Sequence, residues 1–104
     1  MKVVYSKAIF VEIVEISSYL AENSYDTALR FFECCDESFR LLSREPNIGV
    51  IRHFRIPELR EVRMWRVKDF ENYLIFYRVQ SANIKILHVV HAARNYPSLF
   101  DVEE

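Results

Sequence analysis

The chain has one glycine and three prolines in 104 residues. That scarcity excludes Gly- or Pro-rich linkers and points to one continuous domain, residues 1–104. No apolar run approaches the roughly 18 residues that would suggest a membrane span. The opening, Met1-Lys2-Val3-Val4-Tyr5, lacks the long apolar core of a signal peptide. It reads as a strand, and a cytosolic location is expected. Only two cysteines occur, Cys34 and Cys35, side by side in a helical pattern. Helical neighbours point about 100° apart, so a bridge between them would strain the backbone. They read as two small apolar helix residues, not as a disulfide framework. No cysteine or acid cluster accompanies the histidines. His88 and His91 fall on one expected strand at odd spacing, so they point to opposite faces and cannot chelate together. Neither a metal nor a cofactor is expected.

An excess of one charge is also missing: the net charge is −1 and the isoelectric point about 6.3. The charge is unevenly spread. Residues 1–39 hold three basic and seven acidic side chains, and residues 69–104 hold three and five. Residues 40–68 hold eight basic (Arg40, Arg44, Arg52, Arg55, Arg60, Arg63, Arg66, Lys68) and three acidic. This basic segment is either a partner surface for nucleic acid or an acidic protein, or a solvated loop and strand. The isoelectric point is modest for a dedicated nucleic-acid binder.

What is present in quantity is apolar sequence, 51% of the chain. Asn72-Tyr-Leu-Ile-Phe-Tyr-Arg-Val-Gln80 and Ile84-Lys-Ile-Leu-His-Val-Val-His-Ala-Ala-Arg94 are β-branched and aromatic, with a short polar break between them. They predict two strands paired as an antiparallel hairpin. Tyr73, Ile75, Tyr77 and Val79 share one side; Leu74 and Phe76 share the other. A sheet apolar on both faces needs two covers. One can come from this chain, the other from a second protein.

Ile9, Ile13, Ile16 and Leu20 recur at helical spacing, with Glu12, Glu15 and Glu22 off that stripe, and predict a helix over 7–22 capped by Ser6. Ser24 caps a second helix with Asp26 in its first turn, an apolar face of Ala28, Phe31, Phe32, Cys35, Phe39 and Leu42, and Pro46 as its stop. The short connection makes the helices an antiparallel pair. Residues 46–60 read as a loop, with Ile48, Val50, Ile51 and Phe54 tucked onto the core. A strand over 61–68 follows, then a turn from Asp69 to Asn72 into the hairpin. In the last ten residues Tyr96, Leu99 and Phe100 are candidates for docking, and a tail of about 97–104 is expected to fray. The fold class is α+β: an N-terminal strand at a sheet edge, a two-helix hairpin on one face, and a three-stranded antiparallel meander.

Arg63, Arg66, Arg78, His88, His91, Arg94 and Tyr96 are the side chains capable of chemistry. Arg78 lies within an apolar strand and is expected to be structural, because buried charges rarely go unpaired. Arg94 leaves the sheet with no acidic residue nearby in sequence and is the better functional candidate. Trp65 stands on an otherwise charged strand face, as a binding anchor or as core.

Four places in this order resemble the ParE/RelE toxin superfamily of bacterial type II toxin–antitoxin modules. They are Tyr5-Ser6-Lys7-Ala8, Ala28 with Phe31-Phe32, Pro46-Asn47-Ile48-Gly49, and Asn72 to Val79 followed by Ile86-Leu87-His88-Val89-Val90-His91-Ala92-Ala93-Arg94. The ending is similar to the His-Gly-Ala-Arg-acid of the ParE branch, with Ala92 for the glycine and Asn95 for the acid. The resemblance implies a RelE-like fold and a plasmid-stabilisation toxin that inhibits DNA gyrase by protein contact, without a catalytic site, and is neutralised by a cognate antitoxin. It also implies an alternative, a ribosome-dependent mRNA endonuclease using Arg63, Arg66, His91, Arg94 and Tyr96; a third is a non-toxic relic that binds only its partner. Under the first reading Arg63, Trp65 and Arg94 meet the target. Ile13, Ile16, Leu20 and Tyr77 meet the antitoxin. Membrane association and sequence-specific DNA binding by this chain alone are not expected.

Overall fold

A computed structural model describes residues 1–52 and 61–94. The expected docking of Phe54, Tyr96, Leu99 and Phe100, and the tail, lie outside these residues. Seven elements follow in order: β1 Lys2–Tyr5, α1 Ala8–Ala21, α2 Tyr25–Arg44, β2 Val50–Ile51, β3 Val62–Val67, β4 Phe70–Val79 and β5 Asn83–His91. Among the described residues no helix is long and apolar enough to cross a membrane.

The helices start for different reasons. Ser24 caps α2 as expected: its backbone is extended and its hydroxyl accepts from Thr27 N–H at 3.2 Å. Asp26 sits in the first turn and Arg44 in the last, both favourable to the helix dipole. Ser6 does not cap α1. Its hydroxyl donates to the Leu87 carbonyl at 2.6 Å and its N–H to the Ile86 carbonyl at 2.9 Å, and Lys7 flanks the helix without a side-chain cap. The start of α1 is therefore tied to β5.

The sheet order is β1-β5-β4-β3-β2. β3, β4 and β5 form the expected antiparallel meander, and β1 joins the edge parallel to β5, so the sheet is mixed. A parallel partner needs a crossover connection, which begins here with the helical hairpin. The sequence reading missed β2: Val50 and Ile51 are exposed and pair with Met64 and Arg63 at the other edge. Ile48 alone of that expected apolar group packs on the main core. The β3–β4 turn is also tighter than expected. It closes at Lys68-Asp69, where Asp69 takes a left-handed φ of 61°, and β4 starts at Phe70.

The main core lies between helices and sheet, around Ile9, Phe31, Leu42, Ile75, Tyr77 and Val89. A second cluster, Val62, Leu74, Phe76 and Val90, lies apart from it. Leu74 and Phe76 are only 3% and 0% exposed in this chain alone. That sheet face therefore does not wait for a second protein. Phe32, expected in the α2 core face, is instead 57% exposed, and Cys34 is buried in its place.

Glu12 departs furthest from expectation. It is 9% exposed and reaches β5, accepting from Val89 N–H at 3.0 Å and meeting His88 Nδ1 at 2.7 Å. The last β1–β5 pair is Tyr5 with Ile86, and an irregularity in β5 follows between Ile86 and His88. Val89 N–H lies beyond the end of β1, so the carboxylate takes the place of a strand carbonyl. Glu12→Ala would leave that buried donor and His88 without their acceptor. It is expected to cost roughly 2–4 kcal/mol in urea unfolding, whereas Glu15→Ala, at an exposed position, should stay within about 0.5 kcal/mol. Equal losses would contradict this account of Glu12.

Candidate functional site

The turn after α2 is held by three contacts. Tyr77, fully buried on β4, donates its hydroxyl to the Pro46 carbonyl at 2.7 Å and accepts from Gly49 N–H at 2.9 Å. Burial raises that hydroxyl above the usual tyrosine range. Arg63 Nη1 donates to the carbonyls of Asn47, at 3.1 Å, and Gly49, at 2.8 Å. Tyr77, expected to meet an antitoxin, is therefore an internal pin with no surface to offer. Arg63 is a clamp on the same turn. A Cβ on Gly49 would lie 2.4 Å from the Tyr77 oxygen and 2.7 Å from its ring, too close for any side chain. Gly49→Ala is expected to lower stability by roughly 1–3 kcal/mol, measured by thermal or urea unfolding. An unchanged midpoint would show that the turn can move away from Tyr77.

The residues considered for RNA cleavage do not converge. Arg63 pairs in register with Tyr77, whereas His91 pairs with Tyr73 four residues away along β4, roughly 13 Å at strand rise. Arg66 points to the face opposite Arg63 and donates to the Glu71 carbonyl at 2.7 Å. His91 Nδ1 accepts from Ala93 N–H at 3.0 Å, and its ring stands edge-on to Tyr73. Arg94 is exposed just past β5, its N–H on the His91 carbonyl, with no ion pair to any described residue. Tyr96 lies outside the described residues. His88 is held by Glu12. Arg78 is half-buried and has interactions of its own. Burial also pushes the Cys35 thiol up to about 12 and raises Cys34, so neither is poised as a nucleophile near neutral pH. No metal-binding group of side chains occurs among the described residues.

Two surfaces stand out instead. The first is the outer side of the helical hairpin. Phe10 and Val14 lie one turn apart on α1; Tyr25, Leu29 and Phe32 recur at i, i+4 and i+7 on α2. All five are exposed, Phe10 by 72% and Tyr25 by 70%. Ile13, Ile16 and Leu20 are half-buried against the core and form the inner stripe. Sequence reasoning took the inner stripe for the partner surface. The signal it passed over was apolar residues beside that stripe, where an isolated domain would place polar ones.

The second surface is an open groove of about 770 Å³ between the C-terminal half of α2 and β3. Leu41, Val50, Met64 and Trp65 line it, and Arg40, Arg44, Arg66 and Lys68 stand around it. Trp65 packs partly on the main core and is neither free nor fully buried.

Comparison with known proteins agrees with the fold. No curated protein sequence matches the chain. A solved structure described as "Chromosomal ParDE TA system from P. aeruginosa" contains a similar chain, with a TM-score of 0.69 at 20% identity. The match covers 88% of this chain and 95% of that one. At that identity the likeness speaks for the fold. The family model for the ParE toxin of the type II toxin–antitoxin system, parDE, matches residues 3–96. With nearly the whole chain matched, this protein belongs to the ParE toxin family of type II toxin–antitoxin systems.

Proposed function

We propose that this chain is the toxin of such a module: it inhibits DNA gyrase by protein–protein contact in the cytosol, and an antitoxin laid along the outer hairpin neutralises it. The observation that carries the antitoxin half is the exposed apolar row Phe10, Val14, Tyr25, Leu29 and Phe32. A small domain that leaves a contiguous apolar row in water is a poor monomer and a good receptor for an amphipathic helix. The partner folds as it binds and lays its own apolar stripe into the row. Ile13, Ile16 and Leu20 support the row from below and extend it toward α1.

Inhibition without catalysis is supported by the dispersal of Arg63, Arg66, His91 and Arg94. Each of the first three already holds a local contact, and no acid and base face a common point among them. RNA binding would also favour more uncompensated positive charge than this chain carries. The mRNA endonuclease and the inactive relic stand as the alternative outcomes of the test.

Arg94 is the residue proposed to meet the target, with Trp65 as a neighbouring anchor and Arg63 shaping the turn behind it. Arg94→Ala is expected to weaken growth inhibition while shifting stability by only about 0.5 kcal/mol. Full toxicity in the folded variant would remove Arg94 from the site. For the antitoxin surface, Phe32→Ala should weaken binding to the product of the adjacent reading frame by about thirtyfold, a loss of about 2 kcal/mol. For the target, purified toxin should trap gyrase–DNA cleavage complexes. Ribosome-dependent mRNA cleavage with intact DNA would instead assign the chain to the endonuclease branch.

A further inference from the structure

We infer that the groove between α2 and β3 is a second docking site for the same antitoxin, and that it takes a peptide segment carrying an apolar side chain beside carboxylates. This rests on the toxin–antitoxin reading above and extends it to a surface away from the outer hairpin.

The floor sets the first half of the chemistry. Leu41, Val50, Met64 and Trp65 give an apolar bed, and Val50 on the edge strand is 61% exposed. An aromatic or aliphatic anchor can lie on the half-buried Trp65, the residue type most often found at binding hot spots.

The rim sets the second half. Its four basic side chains are not equivalent. Arg40 is paired with Asp36 at 2.8 Å and Lys68 with Glu37 at 2.7 Å. Arg44, in the last turn of α2, makes no ion pair with a described residue. Arg66 gives one N–H to the Glu71 carbonyl and keeps its remaining donors. Two uncompensated guanidinium groups beside an apolar floor suit isolated carboxylates, which each can grip through a two-pronged hydrogen bond. A nucleic acid fits less well. Glu37, Asp69 and Glu71 line the same groove and would face a run of phosphates.

The position of the groove explains why one partner would need both surfaces. At about 100° per residue, Tyr25, Leu29 and Phe32 fall on one flank of α2, and Leu41 and Arg44 on another. A single chain bound to the outer row must cross α2 to reach the groove. Its second contact is then intramolecular, at high effective concentration. The groove therefore sets how long the antitoxin stays rather than how fast it arrives.

The test uses the intact complex with the product of the adjacent reading frame, followed by biolayer interferometry. The Arg44→Glu/Arg66→Glu double variant is expected to speed dissociation about a hundredfold, with association changed less than about tenfold. Arg44→Lys/Arg66→Lys, which keeps the charge and loses the fork, should stay within about tenfold of wild type. Matching melting temperatures for the three proteins exclude misfolding. Unchanged dissociation of the glutamate variant overturns the inference and leaves the toxin–antitoxin reading intact. Wild-type protein that does not bind the antitoxin at all overturns that reading, and the groove's role with it. Unchanged antitoxin dissociation together with lost binding to a single-stranded oligonucleotide would make the groove a nucleic-acid site, again overturning the inference.

Discussion

Glu12 projects from α1 into the place where β1 has stopped and β5 continues. There its carboxylate meets the Val89 amide and the His88 ring. A carboxylate that is 9% exposed is costly to bury without donors, and these two donors offset the cost. The contact fixes α1 against the sheet in both position and rotation. With α1 fixed, Ile9 turns into the main core and Phe10 and Val14 turn outward. Through the short connection capped by Ser24, α2 follows, presenting Phe31 inward and Phe32 outward. The apolar outer row is thus a consequence of how the inner stripe is anchored.

The opposite end of the molecule uses a neutral pin in the same manner. Tyr77 sits in the main core and reaches out to the turn after α2, where its hydroxyl satisfies Pro46 and Gly49. Arg63 closes that turn from β3. These contacts bring the chain from the end of α2 back to the sheet edge and set β2 beside β3. The groove below Arg44 and Arg66 exists because of that placement. Both proposed partner surfaces therefore depend on buried polar contacts rather than on loops.

Much of the architecture was legible because it follows from periodicity. The Ile9, Ile13, Ile16, Leu20 stripe, the Ser24 cap and the alternation of β4 and β5 each predicted the element found there. The parallel docking of β1 at the sheet edge also agreed with the expected topology. What failed were residues whose neighbours come from far along the chain. Glu12 looked solvent-facing because its partners lie 76 and 77 residues away. Tyr77 looked like a partner residue because nothing local announces Pro46 and Gly49, 31 and 28 residues away. Ser6 had the composition of a cap but its hydroxyl found Leu87. Phe32 was assigned to the core because a wide apolar face on α2 hides two roles, one for folding and one left in water. For the site, Arg94 was placed correctly beyond β5 from its position alone, whereas the clamp role of Arg63 and the groove around Trp65 required the fold.

The central claim is that the exposed face of the hairpin, held in place from beneath, receives the antitoxin. Methyl NMR on the labelled toxin, free and saturated with the purified product of the adjacent reading frame, tests this most directly. The account predicts large shifts for Val14 and Leu29 and small ones for the core methyls of Ile75 and Ile86. Shifts concentrated in the core, or absent from Val14 and Leu29 in a saturated complex, would contradict it.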